Sequence, residues 1–299
     1  MSAAQHPEYT TGTLGFWNGT KDGKEATIVD FATGETNLNR PKELSVLVCD
    51  TRKIQDKPTL LSNGYQLSDA GTLVTEEQFT QSSTAEGKAF IQDVYFKECV
   101  DVIRSLVPDV GEILPWSFRC REQKGVDKQQ TEDNVREPEA RYAPRPIAHL
   151  DRDTAMATTA LEDYVGKEGA KDLLAKYENW AQVNVWRPIG LPATKWPLCL
   201  LNHDRIPDWS YATHVERLYP YNDPRMADRG GKSYDSLVKP DERYDYYYVS
   251  DMTPQECLVF CSFHSDPKLA VPHSAFWDNS TPEDAPNRRS IEVRSLVFF

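Results

Sequence analysis

Short β-type runs recur along the chain on both sides of a helical insert, and this pattern restricts the folds that the chain can adopt. Clear runs of this kind lie at residues 43–50, 181–188 and 290–299, between polar or turn-forming segments. The insert spans about residues 154–178 and is interrupted near Gly166 and Gly169. Short strands around one insert favour two β-sheets that pack face to face. The sequence therefore predicts a mainly β protein of the α+β class, such as a jelly roll, with peripheral helices.

The length of 299 residues is close to the size at which a single hydrophobic core stops growing. Residues 1–42 are rich in Gly, Thr, Asn and Asp, which predicts an N-terminal arm of turns and short strands across the main domain. Residues 43–299 are then expected to form a single domain. Within it, residues 75–106 carry apolar side chains three and four positions apart, which indicates helices. The highly charged segment 122–140 predicts a surface loop.

The net charge of −12 argues against nucleic acid or an anionic membrane as partner, because phosphate binding requires a basic stripe that the sequence lacks. The N-terminus has no signal-peptide pattern, and no apolar run reaches the length of about 18 residues that a membrane helix needs. We therefore expect a soluble, cytoplasmic protein. The six cysteines include no Cys-x-x-Cys pair, which indicates reduced thiols rather than zinc ligands or disulfides.

A histidine and an aspartate stand two positions apart in the apolar run at residues 146–153. On an extended strand, His149 and Asp151 point to the same side while Leu150 points to the other. An imidazole and a carboxylate at one point are two of the three ligands of the 2-His-1-carboxylate facial triad, which binds Fe(II) and leaves coordination positions open. In a chain with 46 acidic residues, a His-x-Asp pair also arises at the surface by chance. The metal-site hypothesis therefore requires a further histidine downstream.

His273 is a downstream histidine whose neighbours fit such a role. It lies among apolar and aromatic residues in the segment 270–277. His6, by contrast, lies in the N-terminal tail, and His203 has the polar neighbours of an ordinary turn. A buried histidine is also commonly a hydrogen-bonded core residue. The residues alone leave both roles of His273 open.

The last strand carries charged and polar side chains on one face. Arg288, Ser290, Glu292 and Arg294 alternate with the apolar Ile291 and Val293. One interpretation is an edge strand with a solvated charged face. The other is that a guanidinium forms a bidentate pair with the carboxylate of a co-substrate, with the Ser290 hydroxyl as a further donor.

Several segments between residues 43 and 299 resemble one family of fungal enzymes. The most specific are Asn184-Val185-Trp186-Arg187-Pro188, His273-Ser274-Ala275-Phe276 and Ser290-Ile291-Glu292-Val293-Arg294. They are similar to the gibberellin desaturase-like and cephalosporin methoxylase-like oxygenases of fungi. The resemblance implies a cupin-like double-stranded β-helix with non-haem Fe(II), 2-oxoglutarate and O2 as co-substrate. It also implies that the chain oxidises an unactivated C–H bond of a specialised metabolite.

The same resemblance assigns roles to individual residues. It implies that His149, Asp151 and His273 are the metal ligands, and that Arg288 and Ser290 anchor the distal carboxylate of 2-oxoglutarate. The chain departs from the family at Phe263-His264-Ser265, where relatives tend to have Phe-Asp-Ser. This change lies outside the predicted triad. It means that the substrate of a relative does not by itself predict the substrate of this chain.

The arginines near the predicted site exceed the one that 2-oxoglutarate requires. The additional ones are Arg187 and Arg294, which favours a small acidic or amino-acid-like substrate. Asn184, Trp186 and Phe276 are expected to line the same pocket. The alternative for both arginines is a structural ion pair with a residue such as Glu292.

Two other functions stay open at this stage. One is a non-haem iron oxidase that does not use 2-oxoglutarate, and the other is a non-catalytic jelly roll that only binds a ligand. The sequence also leaves open whether the oxidation is a hydroxylation, a desaturation or an oxidative ring closure.

Overall fold

The computed structural model describes residues 8–24, 27–30, 36–122, 144–221 and 235–299. The strands of this part are β1 (Tyr9–Phe16), β2 (Thr27–Asp30), β3 (Lys42–Asp50), β4 (Tyr65–Ser68), β5 (Ile113–Glu122), β6 (His149–Leu150), β7 (Trp180–Pro188), β8 (Leu198–Asn202), β9 (Val215–Tyr221), β10 (Asp235–Val238), β11 (Asp245–Tyr248), β12 (Cys257–His264), β13 (His273–Ala275), β14 (Trp277–Asp278) and β15 (Arg289–Phe298). The helices are α1 (Leu60–Asn63), α2 (Glu76–Thr80), α3 (Ala85–Phe90), α4 (Phe96–Leu106), α5 (Thr154–Lys176) and α6 (Tyr211–His214). None of these described helices has the length and apolar character needed to cross a membrane.

The strands form two sheets that pack face to face. The larger sheet has ten strands in the order β14-β1-β3-β11-β8-β13-β6-β10-β9-β2, and the smaller has five in the order β4-β12-β7-β15-β5. Between the sheets, Trp186 of β7 and Phe260 of β12 share an apolar cluster with Leu198 and Leu200 of β8. Side chains of the two inner faces thus fill the space between the sheets. The predicted two-sheet architecture is confirmed.

Helices α2 to α4 cover the outer face of the smaller sheet. A π-helical segment, Ile91–Tyr95, joins α3 to α4. The buried residues of this segment and of α4 follow the predicted spacing of three and four and include Ile91, Tyr95, Cys99, Val102 and Ile103. These residues pack in one cluster with Val183 and Val185 of β7 and Val293 of β15. Both faces of β7 are therefore buried, one against the helices and the other between the sheets.

Helix α5 is the predicted insert, and its start and its break have local causes. Asp153 caps the first turn because its side chain accepts a hydrogen bond of 3.0 Å from the backbone N–H of Met156. Gly166 interrupts the helix with a φ of 79°, in the left-handed region that glycine tolerates best. Leu161 is fully buried and packs in a cluster with Phe298 of β15. The predicted break is confirmed at Gly166, whereas Gly169 keeps a helical backbone.

One expectation for the N-terminal third needs correction. β1 pairs antiparallel with β3 along its whole length, so residues 9–16 are a strand of the larger sheet rather than part of an arm across it. Helix α1 precedes β4 in the next segment. Of the predicted loop 122–140, all but Glu122 lies outside the described residues.

Strand β15 lies in the interior of the smaller sheet. It pairs with β7 on one side and with β5 on the other, and Glu292 is opposite Trp186 and Arg119. A strand with two partners is not an edge strand, so the alternative of a solvated edge does not apply. The face of β15 that carries Ser290, Glu292 and Arg294 is instead directed towards the space between the sheets.

Candidate active site

Two paired strands of the larger sheet bring the predicted triad together. His149 of β6 and His273 of β13 are antiparallel partners, and their ring centroids lie 4.3 Å apart. Asp151 follows β6 directly. The ligand atoms of His149, Asp151 and His273 all lie within 4.8 Å of one another, and all three residues are buried. The geometry therefore presents two imidazoles and one carboxylate to a common point.

Each imidazole is oriented by a hydrogen bond to its own strand. His149 Nδ1 lies 2.8 Å from the carbonyl oxygen of Ile147, and His273 Nδ1 lies 3.3 Å from that of Val271. With Nδ1–H as donor, the lone pair of Nε2 is available to a metal. Burial lowers the pKa of both histidines, and the positive charge of Arg145 adds to this effect at His149. Both rings are thus neutral at neutral pH, as metal ligation requires.

A network of donors holds the Asp151 carboxylate. Its Oδ2 accepts hydrogen bonds from Asn184 Nδ2 at 2.8 Å, Arg294 Nε at 2.9 Å and Gln182 Nε2 at 3.1 Å. Its Oδ1 accepts only from Arg294 Nη2, at 3.3 Å, among the described residues. Burial alone would raise the pKa of Asp151, but the charge and the hydrogen bonds of Arg294 hold it well below the usual range. The carboxylate is therefore ionised, and Oδ1 is the less engaged oxygen.

Sequence reasoning missed two members of this network. Gln182 and Ser262 are both buried, and Gln182 Nε2 donates to Ser262 Oγ at 2.9 Å. Ser262 Oγ in turn lies 2.9 Å from Asn184 Oδ1, with the hydroxyl as donor. Asn184 was expected to line the substrate pocket, but here it orients Asp151. A signal was present in the sequence, since Gln182 and Asn184 are polar residues two apart on one face of a buried strand.

Arg288 and Ser290 present donors that lack acceptors. Arg288 Nη1 donates to the carbonyl oxygen of Trp196, and the guanidinium carbon lies 5.3 Å from the ring centroid of Trp186. Arg288 Nε and Ser290 Oγ are buried, and neither has a hydrogen-bond partner among the described residues. Burial and the charge of Arg121 lower the pKa of Arg288 to about 9. Buried polar groups almost always have partners, so an orphaned pair of this kind fits a missing carboxylate.

The structure does not bring Arg187 or Phe276 to the triad, which corrects two expectations. Arg187 points to the helix-covered face of β7, where it donates to Tyr95 Oη at 3.1 Å and to the carbonyl oxygen of Ala70 at 2.8 Å. Phe276 lies behind the larger sheet, with its ring 5.4 Å from that of Tyr248. Both side chains are fully engaged in packing. Trp186 does lie on the inner face, beside Arg288.

Arg294, which was predicted to contact a substrate, instead contacts two carboxylates of the chain. Besides Asp151, its guanidinium donates to Glu292 Oε1. The ion pair with Glu292 that the sequence left open is therefore present. His264, the departure from the family pattern, lies away from the triad, and its Nδ1 accepts a hydrogen bond of 2.9 Å from the backbone N–H of Asp266.

Sequence comparison places the chain among oxidoreductases. A family model described as "YDMC: Oxidoreductase/YMDC permease-like domain" matches residues 14–298. The chain is 61% identical over 291 residues to "Oxidoreductase R1" of a Phoma species, and 97% of each chain is covered. It is 58% identical over 300 residues to "Oxidoreductase clz15" of Cochliobolus lunatus, and 100% of each chain is covered.

A more distant relative has a solved structure. "Fe(II)/2-oxoglutarate-dependent dioxygenase nvfI" of Aspergillus novofumigatus is 24% identical over 254 residues, which cover 83% of this chain and 81% of the relative. The solved structure "iron and alpha-ketoglutarate-dependent endoperoxidase NvfI with different conformation" matches with a TM-score of 0.76 and 20% identity, over 98% of this chain and 99% of that one. This likeness confirms the jelly-roll fold. The predicted kinship with fungal iron- and 2-oxoglutarate-dependent oxygenases is confirmed by relatives of that name. The chain belongs to the oxidoreductase family whose model matches residues 14–298.

Proposed function

We propose that the chain is an Fe(II)- and 2-oxoglutarate-dependent oxygenase that oxidises an unactivated C–H bond of a small specialised metabolite. The observation that carries the proposal is the presence of two complementary features on one inner surface. One is the buried ligand set of His149, Asp151 and His273, and the other is the orphaned donor pair of Arg288 and Ser290. The name of the relative nvfI, which states iron and 2-oxoglutarate, supports the same cofactors.

The donor set suits Fe(II). Two neutral imidazoles and one ionised carboxylate form the facial triad, which leaves positions open for exogenous ligands. The hydrogen bonds to the three ligand side chains also suit a bound metal. The Nδ1–H bonds fix the imidazole tautomers, and the donors to Asp151 fix the orientation of its carboxylate. His149, Asp151 and His273 are therefore the residues that would hold the metal.

Arg288 and Ser290 would hold the distal carboxylate of 2-oxoglutarate. A guanidinium offers parallel N–H groups to a carboxylate, and Nε of Arg288 is one that has no partner among the described residues. The Ser290 hydroxyl would add a third donor. Trp186 lies against the guanidinium and restricts its plane, so the acid would be held at a defined angle.

Iron and 2-oxoglutarate, when held by these residues, would supply the activation of O2, with succinate and CO2 as the products of 2-oxoglutarate. The chain's own residues supply ligation, orientation and exclusion of water. Asn184, Gln182 and Arg294 keep the Asp151 carboxylate in place throughout. Burial of the triad limits the access of solvent, which strengthens each of these polar contacts.

We further propose that the substrate is acidic or amino-acid-like. Support comes from the inner face of β15 and its neighbour β5, where arginines outnumber the one that 2-oxoglutarate requires. Trp186 is a candidate apolar contact for the same substrate. Hydroxylation, desaturation and oxidative ring closure all begin with the removal of a substrate hydrogen, and the outcome depends on placement at sub-ångström precision.

Titration with iron tests the ligand assignment. Under anaerobic conditions we expect one Fe(II) to bind per chain, and binding to be lost in His149→Ala and Asp151→Ala. His203→Ala is the matched control, because it removes a buried imidazole outside the triad. Full iron binding in both triad variants would contradict the assignment.

Release of succinate separates the proposal from its two alternatives. An iron oxidase without 2-oxoglutarate would turn over its substrate without succinate, and a ligand-binding jelly roll would not consume O2. The orphaned donors of Arg288 and Ser290 favour the 2-oxoglutarate enzyme, since the alternatives leave both donors buried and unsatisfied.

A further inference from the structure

Strand β5 brings further cationic side chains to the inner surface beside β15. Arg121 is the cross-strand partner of Ser290, and Arg119 is the partner of Glu292. Directly opposite residues of antiparallel strands project to the same face of a sheet. Glu292 is linked through Arg294 to the triad carboxylate, so the arginines of β5 face the same space.

The inner faces of β5 and β15 carry an excess of positive charge. The charged side chains that β5, β15 and the residue before β15 contribute here are Arg119, Arg121, Arg288, Arg294 and Glu292, and the triad adds Asp151. Arg121 is engaged in a further interaction. Among the other side chains of this group, three cations and two carboxylates leave one positive charge, and Fe(II) and the 2-oxoglutarate dianion would cancel each other. Burial and the neighbouring charges of Arg119 and Arg294 lower the pKa of Arg121 to about 10. Such a surface favours an additional anion.

Arg119 has no hydrogen bond or ion pair with any residue that the structure describes. Its cross-strand neighbour Glu292 is engaged by Arg294. On the same strand, Ser117 Oγ and Trp116 Nε1 are buried without a partner in the described part of the chain. An arginine and two further polar groups on one strand thus lack counterparts, which is rare unless a ligand supplies them.

We propose that Arg119, with the hydroxyl of Ser117 and beside the positive charge of Arg121, binds a carboxylate of the substrate. This inference rests on the proposed function, because it names residues that select the substrate of the same site. β5 is an edge strand of the smaller sheet, so its side chains lie at a margin of the space between the sheets. A carboxylate held there leaves the rest of the substrate to extend towards the triad. Arg288 and Ser290 remain for 2-oxoglutarate.

The test uses the full chain with Fe(II) and saturating 2-oxoglutarate under anaerobic conditions. Tricarballylate, a small tricarboxylate, serves as the probe, and calorimetry measures its affinity. The absorption of the Fe(II)–2-oxoglutarate chelate reports in parallel whether 2-oxoglutarate stays bound. We expect saturable binding of the probe to the wild type while the chelate absorption persists.

The variants assign the binding to β5. Arg119→Met should weaken probe binding about tenfold or more, because a charge-assisted hydrogen bond is lost. Arg119→Lys should lose less, since the charge remains while the planar fork is absent. Arg104→Met removes the same charge from the exposed side of α4 and should leave the affinity unchanged. Arg121→Met repeats the test at the second arginine if Arg119→Met does not fold.

Each outcome decides the proposal. No saturable binding to the wild type, equal affinity in Arg119→Met, or displacement of 2-oxoglutarate by the probe would overturn it. A loss of 2-oxoglutarate affinity in Arg119→Met would also overturn it, because Arg119 would then serve the co-substrate. Failure of the wild type to bind Fe(II) or 2-oxoglutarate would instead refute the proposed function, so the two failures are distinguishable.

Discussion

Replacement of Arg294 by Met should strongly destabilise the iron-free protein, because Arg294 is the cation of two buried carboxylates. Its Nε and Nη2 donate to Asp151 at 2.9 and 3.3 Å, and Nη2 also donates to Glu292. The exposed fraction of the side chain is 12% for Arg294 and 9% for each carboxylate. Water therefore cannot screen the charges that the substitution would leave behind.

The magnitude follows from burial. Removal of one partner from a buried ion pair costs about 3–5 kcal/mol. Asp151 keeps the amide donors of Asn184 and Gln182, which offset part of this loss, whereas Glu292 loses its cation. We expect the free energy of unfolding of Arg294→Met to fall by about 3 kcal/mol, near the lower end of that range.

Arg205→Met is the matched control for this prediction. Arg205 makes the same type of two-bond contact with Asp245, at 2.9 and 2.7 Å. The exposed fractions of these two side chains are 55% and 39%, so solvent screens the pair. An exposed pair contributes about 1 kcal/mol or less, and the control should lose no more than that.

Urea unfolding of the chelator-treated protein measures both losses, with the free energy extrapolated to zero denaturant. Addition of Glu292→Gln to Arg294→Met should recover part of the stability, because the neutral amide no longer needs a cation. Equal losses for Arg294→Met and Arg205→Met would refute the reasoning. In that case the carboxylates are not desolvated as the structure implies, and a substrate contact for Arg294 regains support.

Three further predictions concern the co-substrate, pH and packing. Arg288→Lys should raise the KM for 2-oxoglutarate about tenfold or more in a succinate-release assay, because the ammonium of lysine cannot replace the two parallel N–H donors of arginine. An unchanged KM would exclude Arg288 as the anchor of the co-substrate. Burial lowers the pKa of His264 below its ordinary 6.5. The unfolded chain therefore binds more protons at this site than the folded chain does, and the contribution of His264 to stability is lost as pH falls through about 6.5. His264→Asn keeps an acceptor for the Asp266 N–H without titrating, so its Tm relative to wild type should rise below that pH, and a constant difference would contradict this role. Leu161→Ala should lower the free energy of unfolding by about 2–5 kcal/mol in urea, whereas a loss below 1 kcal/mol would mean that the α5 contact is loose.

The triad pair was readable from sequence because it depends on strand periodicity alone. His149 and Asp151 are two residues apart, and the structure places them on one side of β6 and the turn that follows it. The face of β15 was readable for the same reason. What the sequence could not give was the pairing of His149 with His273, since more than a hundred residues separate them and no local pattern specifies which strands become neighbours.

The positions of Arg187 and Phe276 follow from the alternation of side chains along their strands. Arg187 alternates in phase with Val183 and Val185, so it shares their face, and that face is covered by helices. Phe276 lies an odd number of positions from His273, which puts it on the opposite side of the larger sheet. The charge of Arg187 and the aromatic ring of Phe276 favour a place in the pocket, but the alternation along each strand determines which face of the sheet the side chain occupies.

The arginines of β5 were beyond the reach of sequence for a different reason. Ser117, Arg119 and Arg121 alternate with Phe118 and Cys120, a pattern that also describes an ordinary strand with one solvated face. Their significance arises only from the register with β15, which places them beside Ser290 and Glu292. Register between distant strands is set by the packing of the whole core, so a single sequence does not reveal it.

The contrasting roles of Arg288 and Arg294 follow from their neighbours rather than from residue type. Arg288 directly precedes β15 and Arg294 lies six positions further along the chain, with Glu292 between them. Glu292 and Asp151 together engage the guanidinium of Arg294, which removes it from competition for an incoming carboxylate. Arg288 has no such acid within hydrogen-bond reach in the described chain, and its Nε stays unpaired. Glu292 thus accounts for the difference between Arg294, which pairs with carboxylates of the chain, and Arg288, the proposed anchor of 2-oxoglutarate. Glu292→Gln should therefore loosen Arg294 and reduce the preference of the 2-oxoglutarate dianion for Arg288.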